Sequence, residues 1–161
     1  GHIPVVRDGP LCGCGRRGCL EAVAGRLAIA ASAAMAAYRG DAPNLLRIAG
    51  TDVKEIRSQA LAEAIAAGDG VVEAIVREAA QTIGWAMAGV VNVLAPDTVV
   101  VGGGLVEDMP ALFRDEVERA IRARVMPSFE KSFRLAVATL AGDAVISGAA
   151  AWAEETVRAK N

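Results

Sequence analysis

His2, Cys12, Cys14 and Cys19 are the only histidine and the only cysteines in this 161-residue chain. They fall in the pattern G-H-x9-C-x-C-G-x2-G-C-x-E, which closes on Glu21. One imidazole and three thiolates form a Cys3His set, the ligand type of a closed tetrahedral zinc site. Soft thiolate and imidazole donors favour zinc over the oxygen-loving cations. Four protein ligands leave no open position for water, so the expected metal is structural rather than catalytic. The competing reading is one disulfide and a free thiol. Cys12 and Cys14 are too close for an ordinary disulfide, and an odd count suits a disulfide framework poorly. Gly13, Gly15 and Gly18 let the short loop turn its thiolates toward one point.

Two further sets of residues could carry chemistry. Glu21 follows the last cysteine by two positions and starts a helix. A carboxylate there complements the helix dipole. If a metal holds Cys19, it also holds Glu21, and a fixed carboxylate can accept hydrogen bonds from vicinal hydroxyls of a sugar. The second set is Gly102-Gly103-Gly104, directly after the β-favouring run Thr98–Val101. Glycines at the C-terminal end of a parallel strand let a ligand approach the backbone. A plain strand-to-helix turn has the same signature. The turn is neither a P-loop nor a G-x-G-x-x-G fingerprint. Arg16 and Arg17 read as exposed loop residues, Asn92 and Asp97 as cap and turn residues, and Trp85 and Trp152 as core.

The elements that must position these groups are mostly helical. Leu20–Arg39 reads as one helix ended by Gly40, with Val23, Leu27, Ala30 and Ala34 on its buried face. Asp41–Asp52 reads as irregular, Thr51–Ser58 as a helical turn and Gln59–Ala67 as a small helix. Asp69 reads as the N-cap of a long helix, Gly70–Leu94, with an apolar stripe through Val72, Val76, Ala79, Ile83, Val90 and Val93. Gly84, Ala88 and Gly89 would permit close helix packing, and Pro96 stops the helix. Ile3–Val6 reads as an edge strand and Thr98–Val101 as a buried central strand. Met109–Arg124 follows as a helix capped by Asp108, Phe133–Leu140 as a second strand, and Asp143–Ala159 as the last helix. Helix and strand alternate in this half, which predicts parallel strands covered by helices.

Bulk properties exclude several classes. The chain is 53% hydrophobic and 22% charged, with formal net charge −2. That balance offers no basic surface for nucleic acid or anionic membrane. No uninterrupted apolar run of membrane length and no signal-type segment is read in the sequence. Cysteines grouped for metal fit a reducing cytoplasm.

The stretch Gly1–Glu21, GHIPVVRDGPLCGCGRRGCLE, closely resembles the zinc-binding signature of the ROK family, which contains bacterial sugar kinases and sugar-responsive repressors. VNVLAPDTVVVGGGL, Val91 to Leu105, is similar to the family's nucleotide-side strand and glycine turn. GDAVISGAAAWA, Gly142 to Ala153, is similar to its C-terminal helix. The resemblance implies an α/β fold, the C-terminal part of an actin-like ATPase (ribonuclease H-like) sugar kinase lobe with a zinc-binding loop at the N-terminus. It implies a single-domain fragment over 1–161: a zinc loop at 1–21, a helical region at 22–94 and a nucleotide-side α/β region at 95–161. It assigns zinc to His2, Cys12, Cys14 and Cys19, sugar binding to Glu21 and His2, and the adenosine of ATP to Gly102, Gly103 and Gly104. The family's catalytic aspartate and phosphate turns have no counterpart here, so no residue is assigned as catalytic. A missing N-terminal lobe would supply them. The implied parent is an ATP- and Mg2+-dependent kinase of a hexose or N-acylhexosamine, expected as a homo-oligomer. The alternatives are a sugar-sensing repressor, with nucleic acid as a partner only in that case, and a zinc-stabilised interaction domain.

Overall fold

Alanine and leucine lose little side-chain freedom in a helix, and they dominate the first half of the chain. In the computed structural model, which describes residues 1–158, five helices form there. They are α1 (Leu20–Ala24), α2 (Arg26–Arg39), α3 (Pro43–Ala49), α4 (Ser58–Ala66) and α5 (Gly70–Leu94). The expected single helix over Leu20–Arg39 is therefore two. Gly25 is extended between them, and a Cβ there would lie 2.3 Å from the Glu21 carbonyl oxygen. The break re-aims α2, so Leu27 is 66% exposed rather than buried, while Ile29, Ala30, Ala33 and Ala37 face the core. Leu20–Arg39 is long and apolar enough to cross a membrane by composition alone. Broken at Gly25 and packed on the core, it reads as a core element. Gly40 ends α2 in the left-handed conformation, as expected.

Residues 41–52 are not irregular. Pro43 opens α3 at a position where its missing N–H costs nothing. Asp69 precedes α5 as expected but makes no side-chain bond to that helix. Its carboxylate, in a residue only 3% exposed, instead accepts the backbone N–H groups of Asn44 at 3.2 Å and Leu45 at 2.7 Å. Asp69 thus satisfies free donors of α3, a helix 25 positions earlier. Residues 51–57 form turns rather than a helix.

Strand β1 (Thr98–Val101) is followed by α6 (Gly104–Asp108), α7 (Pro110–Arg122) and β2 (Arg134–Val137). The strands pair in parallel, Thr98 opposite Arg134 and Val101 opposite Val137. This is the expected order of strand, helix and parallel strand, with two corrections. Asp108 ends α6 instead of capping α7, whose first residue is Pro110. The strand Thr98–Val101 is not central: Val99 is buried but Val100 is 62% exposed. Among the described residues the sheet has two strands, and α7 packs against β2. Helix α8 (Ala144–Arg158) has no buried residue among those described, and Trp152 on it is 70% exposed rather than core. The expected end of that helix, Ala159, lies outside the described residues. Trp85 is also partly exposed, with the Arg124 guanidinium 4.3 Å from its ring centroid. Val93, expected in the stripe of α5, is exposed as well.

The centre of the core is the contact between α5 and α7. Gly84 admits it: a Cβ there would lie 2.5 Å from the Ala120 Cβ and 2.7 Å from the Val117 carbonyl oxygen. Gly89 meets nothing and plays no such part. A buried carboxylate, Glu116, bridges the two helices. It accepts hydrogen bonds from Arg77 at 2.7 Å, from Gln81 at 3.2 Å, and from Arg119. Burial pushes the Glu116 carboxyl up, but the hydrogen bonds of Arg119, Arg77 and Gln81 outweigh it and hold the group below its ordinary value. A depressed carboxyl contributes stability that is present above its unfolded value, near ~4.3. That stability is lost as pH falls through the folded value. Glu116→Gln is expected to cost about 1–3 kcal/mol at pH 7. In urea denaturation the difference from the parent should shrink as pH falls below about 4.

Candidate functional site

The N-terminal loop is held by main-chain bonds rather than by a strand. Pro4 and Cys19 form one antiparallel bridge, and Leu11 and Arg17 another. Around them the Leu20 N–H donates to the Ile3 carbonyl and the Glu21 N–H to the Gly1 carbonyl, each at 2.8 Å. The expected edge strand Ile3–Val6 is reduced to this bridge, because Val5 and Val6 both donate to the single carbonyl of Gly18. Gly18 itself has φ 69°, and a Cβ would lie 1.7 Å from the Val6 carbonyl oxygen. Only glycine fits there.

This wiring brings the four expected ligand residues together. One ligand atom from each of His2, Cys12, Cys14 and Cys19 lies within 4.8 Å of the others. The Cys14 and Cys19 sulfurs are 3.7 Å apart, and Cys12 Sγ is 3.5 Å from His2 Nδ1. A tetrahedral zinc with ordinary bond lengths has S–S edges of roughly 3.8 Å and N–S edges of roughly 3.6 Å. The donor set and its dimensions fit that ion. All three cysteines are free, with Cys12 and Cys19 buried and Cys14 exposed. Burial pushes the Cys19 thiol up to about 11, and the neighbouring Cys14 and Cys12 add to it. A hydrogen bond from the Arg16 backbone lowers Cys14.

Glu21 sits in the first turn of α1 with its carboxylate Oε2 3.6 Å from His2 Nδ1. Its side chain is 61% exposed. It opens on a groove of about 520 Å³, lined in part by Leu11, Cys12, Gly13, Gly25 and Arg26. That volume lies within the range of small-molecule sites. The fold places Glu21 and His2 side by side.

The glycine turn lies elsewhere. Gly102, Gly103 and Gly104 come after the C-terminal end of β1, and Gly103 has φ 107°. A Cβ at Gly102 would lie 2.8 Å from the Ala138 Cβ, and one at Gly104 3.2 Å from Ser58 Oγ. An apolar cavity of about 270 Å³ adjoins the turn, walled by Ile83, Met87, Val101, Gly102 and Leu105. Between the two regions runs a third groove of about 490 Å³, lined by Arg26, Lys54, Arg57 and Ser58. Sequence reading missed these basic residues. Arg26 is far from the other two along the chain, and no periodicity links them.

The remaining singled-out residues have structural roles. Arg17 donates to the Gly9 carbonyl at 3.4 Å within the loop. Asn92 ties α5 to the segment after α7, accepting the Met126 N–H at 2.8 Å. The Asp97 carbonyl accepts the Arg134 N–H at 3.0 Å, which starts the strand pairing.

The ROK family model matches residues 1–156. A glucokinase from Thermotoga maritima is 31% identical over 157 residues, covering 98% of this chain and 49% of that protein. An N-acetylmannosamine kinase from Escherichia coli is 35% identical over 114 residues, covering 70% of this chain and 34% of that protein. Among solved structures, a ROK family glucokinase from Streptomyces griseus in complex with glucose and AMPPNP superposes with a TM-score of 0.75 at 31% identity. That match covers 89% of this chain and 46% of the other. A ROK family transcriptional regulator, a homolog of the E. coli MLC protein, superposes with a TM-score of 0.70 at 28% identity, covering 85% and 33%. The chain spans about half the length, or less, of these proteins. Its α/β arrangement is that of the ROK sugar kinases, and its family match extends from the cysteine loop into α8: the chain belongs to the ROK family.

Proposed function

We propose that this chain forms part of an ATP-dependent hexose kinase, supplying a structural zinc site, part of the sugar site and the adenosine side of the nucleotide site. The observation that carries the reading is the pairing of Glu21 with His2 at the mouth of a groove, on a loop whose four ligand atoms have zinc-site dimensions. Zinc at His2, Cys12, Cys14 and Cys19 would supply rigidity and no reaction step. The chain's own groups do the positioning. Glu21 accepts hydrogen bonds from vicinal sugar hydroxyls, and His2 stands beside it. Gly102, Gly103 and Gly104 leave backbone bare at the end of β1, where adenosine can approach. No residue of this chain is assigned as the base that takes the hydroxyl proton or as the cradle for Mg-ATP. Glucose and an N-acylhexosamine are the two substrate classes that the relatives' names support. Three free thiols in one loop suit a reducing cytoplasm.

The test is a division of labour. Purified residues 1–161 should bind glucose or N-acetylmannosamine in a calorimeter, and ATP independently. They should show no sugar-dependent ADP formation in a coupled assay. Robust turnover by this chain alone would show that the catalytic base lies within it. Absence of binding to either sugar would remove the sugar assignment and leave a zinc-stabilised interaction domain. The similarity to a ROK regulator favours a second reading, a sugar-sensing repressor. Sugar binding without any ATP binding would select it.

A further inference from the structure

We propose that Cys14 is an oxidation site: a hydroperoxide joins it to Cys19, and the loop then releases its metal. The metal is the zinc proposed above for His2, Cys12, Cys14 and Cys19. The three cysteines are not equivalent. Cys12 and Cys19 are 4% and 1% exposed, whereas Cys14 is open to solvent. The reason is its place in the loop. Leu11 and Arg17 form an antiparallel bridge, the Cys12 N–H donates to the Arg16 carbonyl at 2.7 Å, and the Gly15 N–H donates to the Cys12 carbonyl at 2.9 Å. Cys14 therefore stands at the tip of a small hairpin. Its neighbours are Gly13 and Gly15, and a Cβ at either would meet nothing within 4 Å. A small polar oxidant can reach the Cys14 sulfur, while the loop screens the other two.

The resolving partner is already in place. Cys19 lies at the base of the loop, bridged to Pro4, with its sulfur 3.7 Å from that of Cys14. A disulfide bond is about 2.05 Å long, so the two sulfurs must approach by less than about 2 Å. Cys12 is the poorer partner. It stands too close to Cys14 along the chain for an ordinary disulfide, and its sulfur faces His2 Nδ1 at 3.5 Å. The steps balance with hydrogen peroxide as the oxidant. The Cys14 thiolate attacks one peroxide oxygen: an S–O bond forms, the O–O bond breaks, and the leaving hydroxide takes a proton from solvent. Cys14 is then a sulfenic acid. The Cys19 thiolate attacks the Cys14 sulfur: the S–S bond forms, the S–O bond breaks, and the second hydroxide takes a proton from solvent. The two sulfurs have together lost two electrons, and the peroxide has become two waters. The thiolate is the metal ligand, and the disulfide has none. His2 and Cys12 alone are too few for a closed tetrahedral site. Metal loss frees the His2 imidazole, whose Nδ1 is 3.6 Å from Glu21 Oε2. The consequence for a sugar rests on the kinase reading of Glu21 and His2; the oxidation rests on the loop alone.

The experiment uses residues 1–161 purified with zinc under reductant and then desalted. Hydrogen peroxide is added in the presence of a chromophoric chelator. About one zinc per chain should be released, and peptide mapping should show Cys14 linked to Cys19. Dithiothreitol with added zinc should restore the metal content. Dimedone present during the reaction should label Cys14 before Cys12 or Cys19. Cys14→His keeps four nitrogen and sulfur donors, so it should still bind zinc and release it at least about tenfold more slowly under peroxide. The dimedone label carries the assignment where that variant holds no metal. Affinity for glucose or N-acetylmannosamine, measured by calorimetry, should fall at least about tenfold on oxidation and return with reductant and zinc. Zinc retained under excess peroxide, a first label on Cys12 or Cys19, or a disulfide that excludes Cys14 overturns the site. Unchanged sugar affinity in protein that has lost its zinc overturns the link to the sugar. A parent that binds no sugar before oxidation rejects the kinase reading of Glu21, and the zinc and label readouts still decide the oxidation site.

Discussion

Cys19→Ser is expected to abolish stoichiometric zinc. The purified parent should carry about one zinc per chain by elemental analysis, as a closed four-ligand site requires. The variant should carry almost none, with affinity lowered by more than ~100-fold in competition with a chromophoric chelator. The reason is geometric. Cys19 Sγ is buried, 3.7 Å from Cys14 Sγ, and a hydroxyl there offers a harder, poorer donor. Burial already raises the Cys19 thiol to about 11. Bound metal would hold that sulfur as the thiolate, and zinc uptake should therefore release protons. Cys14→Ser should lose the metal as well, although its side chain is exposed, because the polyhedron needs all four donors. Metal loss would leave the loop to its main-chain bonds alone, such as Glu21 N–H to the Gly1 carbonyl. Local proteolysis between residues 1 and 19 should accelerate in both variants while α5 and α7 stay intact. Full zinc retention by either variant, or freshly purified protein with an oxidised cysteine pair and no metal, defeats the assignment.

Glu21→Ala is expected to weaken sugar binding by about 2–4 kcal/mol, the loss of charged hydrogen bonds to a ligand that covers the exposed carboxylate. That corresponds to roughly thirty- to nine-hundredfold in Kd. Zinc content should not change. Glu21 Oε2 lies 3.6 Å from His2 Nδ1 and is outside the four converging ligand atoms. The two readouts separate the roles. Normal sugar binding reduces Glu21 to a charge at a helix start. Loss of zinc together with sugar makes it a support of the loop. Loss of sugar alone is the signature of a ligand-binding carboxylate. The measurement needs protein that binds sugar in its parent form, so it comes after calorimetry on the parent chain.

Local patterns are legible wherever chemistry and spacing act over a few residues. The cysteine loop is readable because thiol and imidazole are scarce types, gathered here with glycines in one short stretch of chain. Helix α5 is readable to its end residues because a 25-residue apolar stripe stops before Pro96. The strand Thr98–Val101 is readable from its three valines, and the turn after it from three consecutive glycines. Each of these depends on a residue's own preference or on partners within one short stretch of chain.

Contacts between distant segments are not legible in this way. Asp69 has the sequence position of an N-cap for α5, yet its carboxylate serves the N-terminus of α3. Gly25 reads as a tolerable residue in an alanine-rich helix; only the chain's path from the cysteine loop into α2 requires an extended backbone there. The stripe of α5 points Val93 inward, but nothing among the described residues packs over it, so it stays exposed. The basic groove unites Arg26 with Lys54 and Arg57 across a gap that no periodicity spans. The sequence by itself determined the ligand types, the long helix α5 and the strand–turn unit, since these follow from intrinsic propensity and short-range spacing. The tertiary structure decided which carboxylate meets which helix, where Glu21 opens and which cations share a wall, because those pairings depend on how the helices pack.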